Sequence, residues 1–303
     1  MTGTGGGIYV AADIGGTTTR LAAFGPDHAV GDTLPELTKR PSDDLGPNPT
    51  HALQSWLQDA VPPGATLAGA VIGLPTMFDA NTRRVQSSPN IPELVGQDVA
   101  EDLSGRLDIP VIVDRDTVIL TTGEWVAGSA QGFRHVLGIF IGTGIGGAML
   151  IDGVPYRGAS GAGVEIGHMA VRMDGAPCVC GNTDCLEAYA SGHVLAGAAD
   201  RAGIAIEDVF TSPAVSDTID IYVETIGYAL ASTCNLLDPE ILLIGGGVGM
   251  RQTFPFDRIV AVLRQHLRRP SPYASLEIRR TALGSAAIVP SAQYLLLKSG
   301  KVS

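Results

Sequence analysis

Three of the chain's four cysteines fall within eight residues, at Cys178, Cys180 and Cys185, and His168 stands ten residues before the first of them. One imidazole and three thiolates form a complete tetrahedral ligand set for structural zinc. The alternatives are incidental thiols, or a disulfide plus a spare cysteine. A Cys178–Cys180 bridge would close a very small, strained ring, and the ligand spacing favours metal. Two carboxylates, Glu165 and Glu187, bracket the cluster. A loop wrapped around a metal fixes both in place, which suits a site that needs rigidly positioned polar groups.

Two further stretches have residue types that can hold phosphate. Asp13-Ile-Gly15-Gly16-Thr17-Thr18-Thr links two short apolar runs, residues 8–13 and 20–24; Gly142-Thr143-Gly144-Ile-Gly-Gly147 links residues 136–141 to 148–151. Each reads as a β-hairpin with a Gly/Thr turn. Glycine lets backbone approach a ligand closely, and peptide N–H groups with Thr hydroxyls can bind phosphate oxygens. Taken singly, either turn is equally well an ordinary hairpin. Their repetition, more than a hundred residues apart, points to two related α/β halves that grip a phosphate chain from both sides. Asp13, at a strand end, could reach Mg²⁺ or its waters.

Three more positions are candidates. Val111-Ile-Val113 is a strand that runs into Asp114-Arg115-Asp116, and residues 117–128 read as a helix. A carboxylate there lies at the carboxyl end of a parallel sheet, where α/β folds bind ligands, so Asp116 could be a catalytic base. It could also be a helix cap, which local sequence alone favours. Asn90, in Ser-Ser-Pro-Asn-Ile-Pro, is either a turn former or a binder of hydroxyls. Gly245-Gly246-Gly247 follows the strand 240–244 and could border a flat ligand such as adenine, or serve close packing.

The elements that must position these groups are legible as periodicity. Residues 51–60 have helical spacing, with Trp56 and Leu57 on the core side. Residues 67–74 are apolar enough for a central parallel strand. Residues 219–237 form a long helix with Ile221, Thr225, Tyr228, Ala229, Ser232 and Leu236 on one broad face, and Cys234 as a buried core thiol. A last helix starts near Pro290, which suits a first turn, and ends near Lys298.

The length, 303 residues, suggests about two domains. A net charge of −11 argues against a nucleic-acid surface, which needs clustered Lys and Arg. No apolar run reaches the length of a membrane span. Residues 1–7 carry no signal-peptide pattern, and clustered thiols without an export signal point to a reducing cytoplasm.

Taken in order, the motifs Asp13-Ile-Gly-Gly-Thr17, Pro89-Asn90, Asp116, Gly142-Thr-Gly144-Ile-Gly-Gly147, Glu165-x-Gly-His168, Cys178-x-Cys180-Gly-(x)3-Cys185-Leu-Glu187 and Gly245-Gly-Gly247 resemble the ROK family of sugar kinases and sugar-responsive repressors, in the actin-like ATPase superfamily. The resemblance covers nearly the whole chain. It implies an α/β fold of two actin-like (ribonuclease-H-like) domains facing a central cleft, with a zinc-bound loop. An N-terminal sugar and phosphate domain would span 1–117 plus 290–303; a C-terminal domain, 118–289, would carry the zinc loop and nucleotide site. Asp13, Gly15, Gly16, Thr17, Thr18, Gly142, Thr143 and Gly144 would hold ATP phosphates and Mg²⁺, and Gly245, Gly246 and Gly247 would border the adenosine. Asn90, Asp116, Glu165, His168 and Glu187 would contact a hexose, with Asp116 as base. His168, Cys178, Cys180 and Cys185 would bind Zn²⁺, His168 with one ring nitrogen while the other lies beside the sugar. A homodimer is the family expectation.

There are departures. Arg115 replaces the usual Asn before the base, Thr76 replaces a frequent Gly, and Asp184 replaces the Gly before the third cysteine. The first two, with the segment 254–272, resemble the D-allose kinase branch and imply Arg115 and Thr76 as sugar contacts. The expected reaction is ATP-dependent phosphorylation of the 6-hydroxyl of a hexose, D-allose before glucose, fructose or an N-acyl-hexosamine. A sugar-sensing repressor would need a DNA-binding domain ahead of the first strand, where residues 1–7 leave no room. A sugar-binding protein without catalysis would not need Asp116 and two phosphate turns.

Overall fold

The computed structural model describes residues 7–28 and 33–300. Of the tail read at residues 1–7, all but Gly7 lies outside them, as do the last three residues of the expected N-terminal domain. The chain divides into two compact units. The first takes the described residues of Met1–Gln131, Arg157–Gly163 and Ala282–Ser303; the second takes Gly132–Tyr156 and Val164–Thr281.

In the first unit, β1 (Gly7–Ile14), β2 (Thr18–Phe24), β3 (Thr38–Pro41), β4 (Thr66–Leu74) and β7 (Val111–Arg115) form one sheet in the order β3-β2-β1-β4-β7. A small hairpin, β5 (Met77–Phe78) and β6 (Val85–Ser87), follows β4. β1 is antiparallel to β2 and parallel to β4, which is parallel to β7. β1 is nearly all apolar because both faces of the sheet are covered. Val10, Ala12 and Ile14 pack with α1 (Pro49–Asp59) and α2 (Val99–Leu107). Ala11, one residue out of phase, joins Val71, Ile119 of α3 (Asp116–Ala127) and Ile288, Ala292 and Leu296 of the C-terminal helix. Trp56 and Leu57 are buried as expected.

The second unit repeats the plan. β8 (His135–Ile141), β9 (Ile145–Ile151), β10 (Val154–Pro155), β11 (Ile241–Gly245) and β12 (Glu277–Arg280) lie in the order β10-β9-β8-β11-β12. β8 and β9 are an antiparallel hairpin, and β8, β11 and β12 are parallel. The helices are α4 (Glu187–Ala190), α5 (Gly192–Ala202), α6 (Ser216–Leu237), α7 (Gly246–Gly249) and α8 (Phe256–His266); α9 (Ile288–Ser299) is the C-terminal helix of the first unit. Pro290 sits in the first turn of α9, as its missing N–H allows.

Two expectations need correction. A domain boundary after residue 117 would cut α3, which packs along α9 and belongs whole to the first unit; residues 157–163 and 282–289 also belong there. On α6, of the six residues read as one face, Thr225 and Ala229 are buried but Ile221, Tyr228, Ser232 and Leu236 are exposed, and Ile219, Tyr222, Val223, Ile226, Leu230 and Cys234 are buried with the first two. The helix is apolar on several sides, so spacing alone did not select the core face. Among the described residues no helix is long and apolar enough to cross a membrane.

Candidate functional site

The parallel register aligns the carboxyl ends of three strands of the first unit. Asp13 pairs with Gly73, and Gly73 pairs with Asp114, two residues before Asp116 opens α3. Asp13 is buried, with Arg20 Nη1 3.6 Å from its carboxylate. Burial pushes its pKa up to about 6, against the opposing pull of Arg20. Past it, the turn is held from behind by one residue. Ser42 Oγ donates to the Gly15 carbonyl at 2.7 Å, and the Ser42 N–H donates to the Thr17 carbonyl at 3.1 Å. A trans peptide points its N–H opposite to its C=O. The N–H groups of Gly16 and Thr18 therefore face away from Ser42, and Gly16 and Thr17 are exposed.

Asp116 is half-buried, and its Oδ1 accepts the N–H of Thr117 at 2.7 Å. It is the first residue of α3, with Arg115 in the cap position and no side-chain cap bond. A Cβ built on Gly73 would lie 3.0 Å from the Asp116 Cα, so glycine at the end of β4 is what lets the carboxylate residue approach. Arg115 is buried and donates from Nη1 to the Gly163 carbonyl at 2.6 Å. Asp114 pairs in two-pronged fashion with Arg157, at 2.8 and 2.5 Å. Asn90 is exposed. Thr76 and Ser88 adjoin the paired residues Met77 and Ser87 of the β5–β6 hairpin. Both are buried, and their hydroxyls have no partner among the described residues.

The second unit builds the other turn the same way. The Gly142 carbonyl accepts the N–H of Gly192 at 2.8 Å, and the Thr143 carbonyl accepts that of His193 at 3.3 Å. The N–H groups of Thr143 and Gly144 therefore point away from α5. Glu187 Oε2 accepts the N–H of Ile145 at 2.7 Å. It lies so close to Gly144 that a Cβ there would overlap the carboxylate. Gly246, with φ +86°, runs against the backbone of Ile141 immediately before this turn, and Gly245 and Gly247 flank it.

The four metal-ligand candidates converge. One donor atom from each of His168, Cys178, Cys180 and Cys185 lies within 4.8 Å of the others. Cys180 Sγ and Cys185 Sγ are 3.8 Å apart, and Cys178 Sγ is 3.5 Å from His168 Nδ1. A tetrahedron with Zn–S near 2.3 Å and Zn–N near 2.0–2.1 Å has edges of about 3.8 and about 3.5 Å. The donor set and spacing thus fit zinc. Burial pushes the Cys185 thiol up to about 12; a coordinated thiol is deprotonated outright. His168 turns Nε2 the other way, 3.9 Å from Glu165 Oε2. Asp184 has φ +63°, which explains the usual glycine, and Asp tolerates this conformation. Its carboxylate also accepts the N–H groups of Gly175 and Ala176 and the hydroxyl of Tyr189.

Sequence reasoning missed Ser42, Ser88, Gly73 and Arg157. A glycine inside a strand pattern marks close approach, so Gly73 carried a usable signal. Ser42 and Arg157 carried none, because their partners are distant in the chain, and Ser88 stands out only through its burial.

The sequence model of the ROK family matches residues 9–298. A glucokinase of Halalkalibacterium halodurans is 30% identical, over 95% of this chain and 94% of its own. An N-acetylgalactosamine kinase of Shewanella is 30% identical, over 80% of this chain and 82% of its own. A crystal structure of a ROK family glucokinase from Streptomyces griseus, in complex with glucose and AMPPNP, superposes with a TM-score of 0.80 at 24% identity, over 95% of this chain and 99% of that one.

Proposed function

The chain belongs to the ROK family and is a sugar kinase, and we propose that it transfers the γ-phosphoryl group of ATP to the 6-hydroxyl of a hexose. The observation that carries this reading is the matched pair of Gly/Thr turns. Each has its carbonyls held from behind and its N–H groups turned outward, the arrangement that cradles phosphate oxygens. Asp116 accepts the proton of the attacking hydroxyl, while Asn90, Glu165, His168 and Glu187 bind the remaining hydroxyls. Phosphoryl transfer of this kind depends on position and electrostatics more than on covalent chemistry.

Mg²⁺ bound with ATP would neutralise developing phosphate charge. Asp13, a buried carboxylate beside the first turn, is the residue that would hold the ion or its waters. Zn²⁺ in the His168–Cys178–Cys180–Cys185 set would fix the loop from Glu165 to Glu187. With Nδ1 turned to Cys178, His168 would keep Nε2 for the sugar.

For the hexose we propose D-allose. Thr76 supports this: its hydroxyl is buried without a partner among the described residues, as a group waiting to read a sugar hydroxyl would be. A misplaced hydroxyl leaves such buried groups unpaired and is rejected. Arg115 contributes by pinning residues 157–163 through Gly163. The second reading is glucose or an N-acetylhexosamine, which the names of the relatives favour. A panel of allose, glucose, mannose, fructose and N-acetylhexosamines, assayed with ATP and Mg²⁺, decides. The allose reading requires kcat/KM at least about tenfold above glucose, roughly 1.4 kcal/mol in transition-state binding. Equal or better efficiency on another hexose overturns it, and no turnover of any hexose overturns the kinase assignment.

A further inference from the structure

Glu187 stands where the zinc segment meets the second phosphate turn, and one of its carboxylate oxygens is committed to that turn. Oε2 accepts the Ile145 N–H at 2.7 Å, at the first residue of β9. Its neighbours continue the contact: Gly192 N–H bonds the Gly142 carbonyl and His193 N–H bonds the Thr143 carbonyl. Three consecutive peptide units of the turn are thus tied to residues 187–193, directly after the last cysteine. A Cβ on Gly144 would overlap Glu187 Oε2, so glycine there leaves the carboxylate its place beside the turn. The segment itself is anchored upstream, where the Leu186 N–H donates to the Met169 carbonyl beside His168.

We propose that Glu187 is a positioning residue for the nucleotide phosphates, in addition to any contact with sugar. By holding the Ile145 N–H, its carboxylate fixes the 144–145 peptide and so helps the Gly192 and His193 bonds keep the Thr143 and Gly144 N–H groups in direction. This inference rests on the reading that the turn holds phosphate. A hydrogen bond to a charged acceptor is among the stronger ones, and its loss frees the turn to explore orientations that do not bind. The zinc segment then serves the nucleotide as well as the hexose.

The test measures binding of AMPPNP with Mg²⁺ by calorimetry, without any sugar, on zinc-replete protein. Glu187→Ala is expected to weaken binding about tenfold, about 1.4 kcal/mol. Glu187→Gln is expected to restore it to within about twofold, because the amide oxygen still accepts the Ile145 N–H. Thr143→Asp, which sets a like charge against phosphate, tests the underlying reading and is expected to weaken binding strongly. If Thr143→Asp weakens binding and Glu187→Ala does not, the inference is overturned while the phosphate turn stands. If neither changes it, the turn does not hold nucleotide and both fall. If Glu187→Gln is as weak as Glu187→Ala, the effect is not the Ile145 bond, and the inference is again overturned. Zinc content and circular dichroism of each variant confirm that the same folded protein is being measured.

Discussion

Asp13 is the group whose removal should help the protein's stability and harm its activity. It is 5% exposed, and burial raises its pKa from 3.8 to about 6 even with Arg20 nearby. A carboxyl with a raised folded-state pKa keeps its proton longer in the folded chain than in the unfolded one. Folding therefore loses stability as pH rises from about 4 to about 6, and the full cost is present at neutral pH. Two units at 1.36 kcal/mol each put that cost at roughly 3 kcal/mol. Asp13→Asn keeps the shape and removes the charge. Without nucleotide or Mg²⁺, the variant should be more stable than wild type by up to about 3 kcal/mol at pH 7.5, and by only about 1 kcal/mol at pH 4.5. Urea unfolding at the two pH values measures the difference. Addition of Mg²⁺ and ATP should reverse the order, since the ligand stabilises the wild type in proportion to its binding. Wild-type kcat/KM should also fall as pH drops through about 6, where Asp13 takes up its proton. An Asn variant with no gain at pH 7.5, or with the same gain at both pH values, would refute the reasoning.

Removal of zinc by a chelator should disorder residues 165–187 and abolish sugar binding; metal analysis showing no zinc in protein purified without chelator would end that idea. Asp116→Asn should leave nucleotide affinity intact and lower turnover at least about a hundredfold if Asp116 is the base, whereas a helix-cap role predicts little change because Asn caps about as well. Glu124→Ala should cost at least about 3 kcal/mol in urea unfolding, because the buried carboxylate accepts the N–H groups of Ser129, Ala282, Leu283 and Gly284 and the variant leaves four donors without it.

The two hairpins, the strands ending at Leu74 and Arg115, and the His/Cys cluster were legible because each is a local pattern. A short apolar run, a glycine turn and closely spaced ligands all lie within a few residues of sequence. What could not be read is what arrives from far away. Ser42 reaches Gly15 across 27 positions, Arg157 reaches Asp114 across 43, and Glu187 reaches Ile145 across 42. Each of these holds a candidate residue or a near neighbour of one in place, yet serine in a loop or arginine in a turn has no distinctive local signature. The face of α6 was misdrawn for a related reason. Its apolar residues outnumber the places that need them, so only packing against α8 and the sheet selects Tyr222 and Ile226 over Tyr228.

Aspartate and glutamate at the candidate site share one structural device in the two units. Gly73 ends a strand against the backbone of Asp116, and Gly144 sits in a turn against the carboxylate of Glu187. In each case a missing Cβ lets an acidic residue lie flush with the strand end, where a peptide N–H is in reach: Thr117 for Asp116, Ile145 for Glu187. A carboxylate held by a peptide donor is oriented without a counter-charge, so its direction is fixed by backbone rather than by a mobile side chain. A methyl group at either glycine would have to move the acid it touches. Gly144 is therefore as much a part of the acid placement as of any phosphate cradle, and Gly73 serves the same placement from within β4.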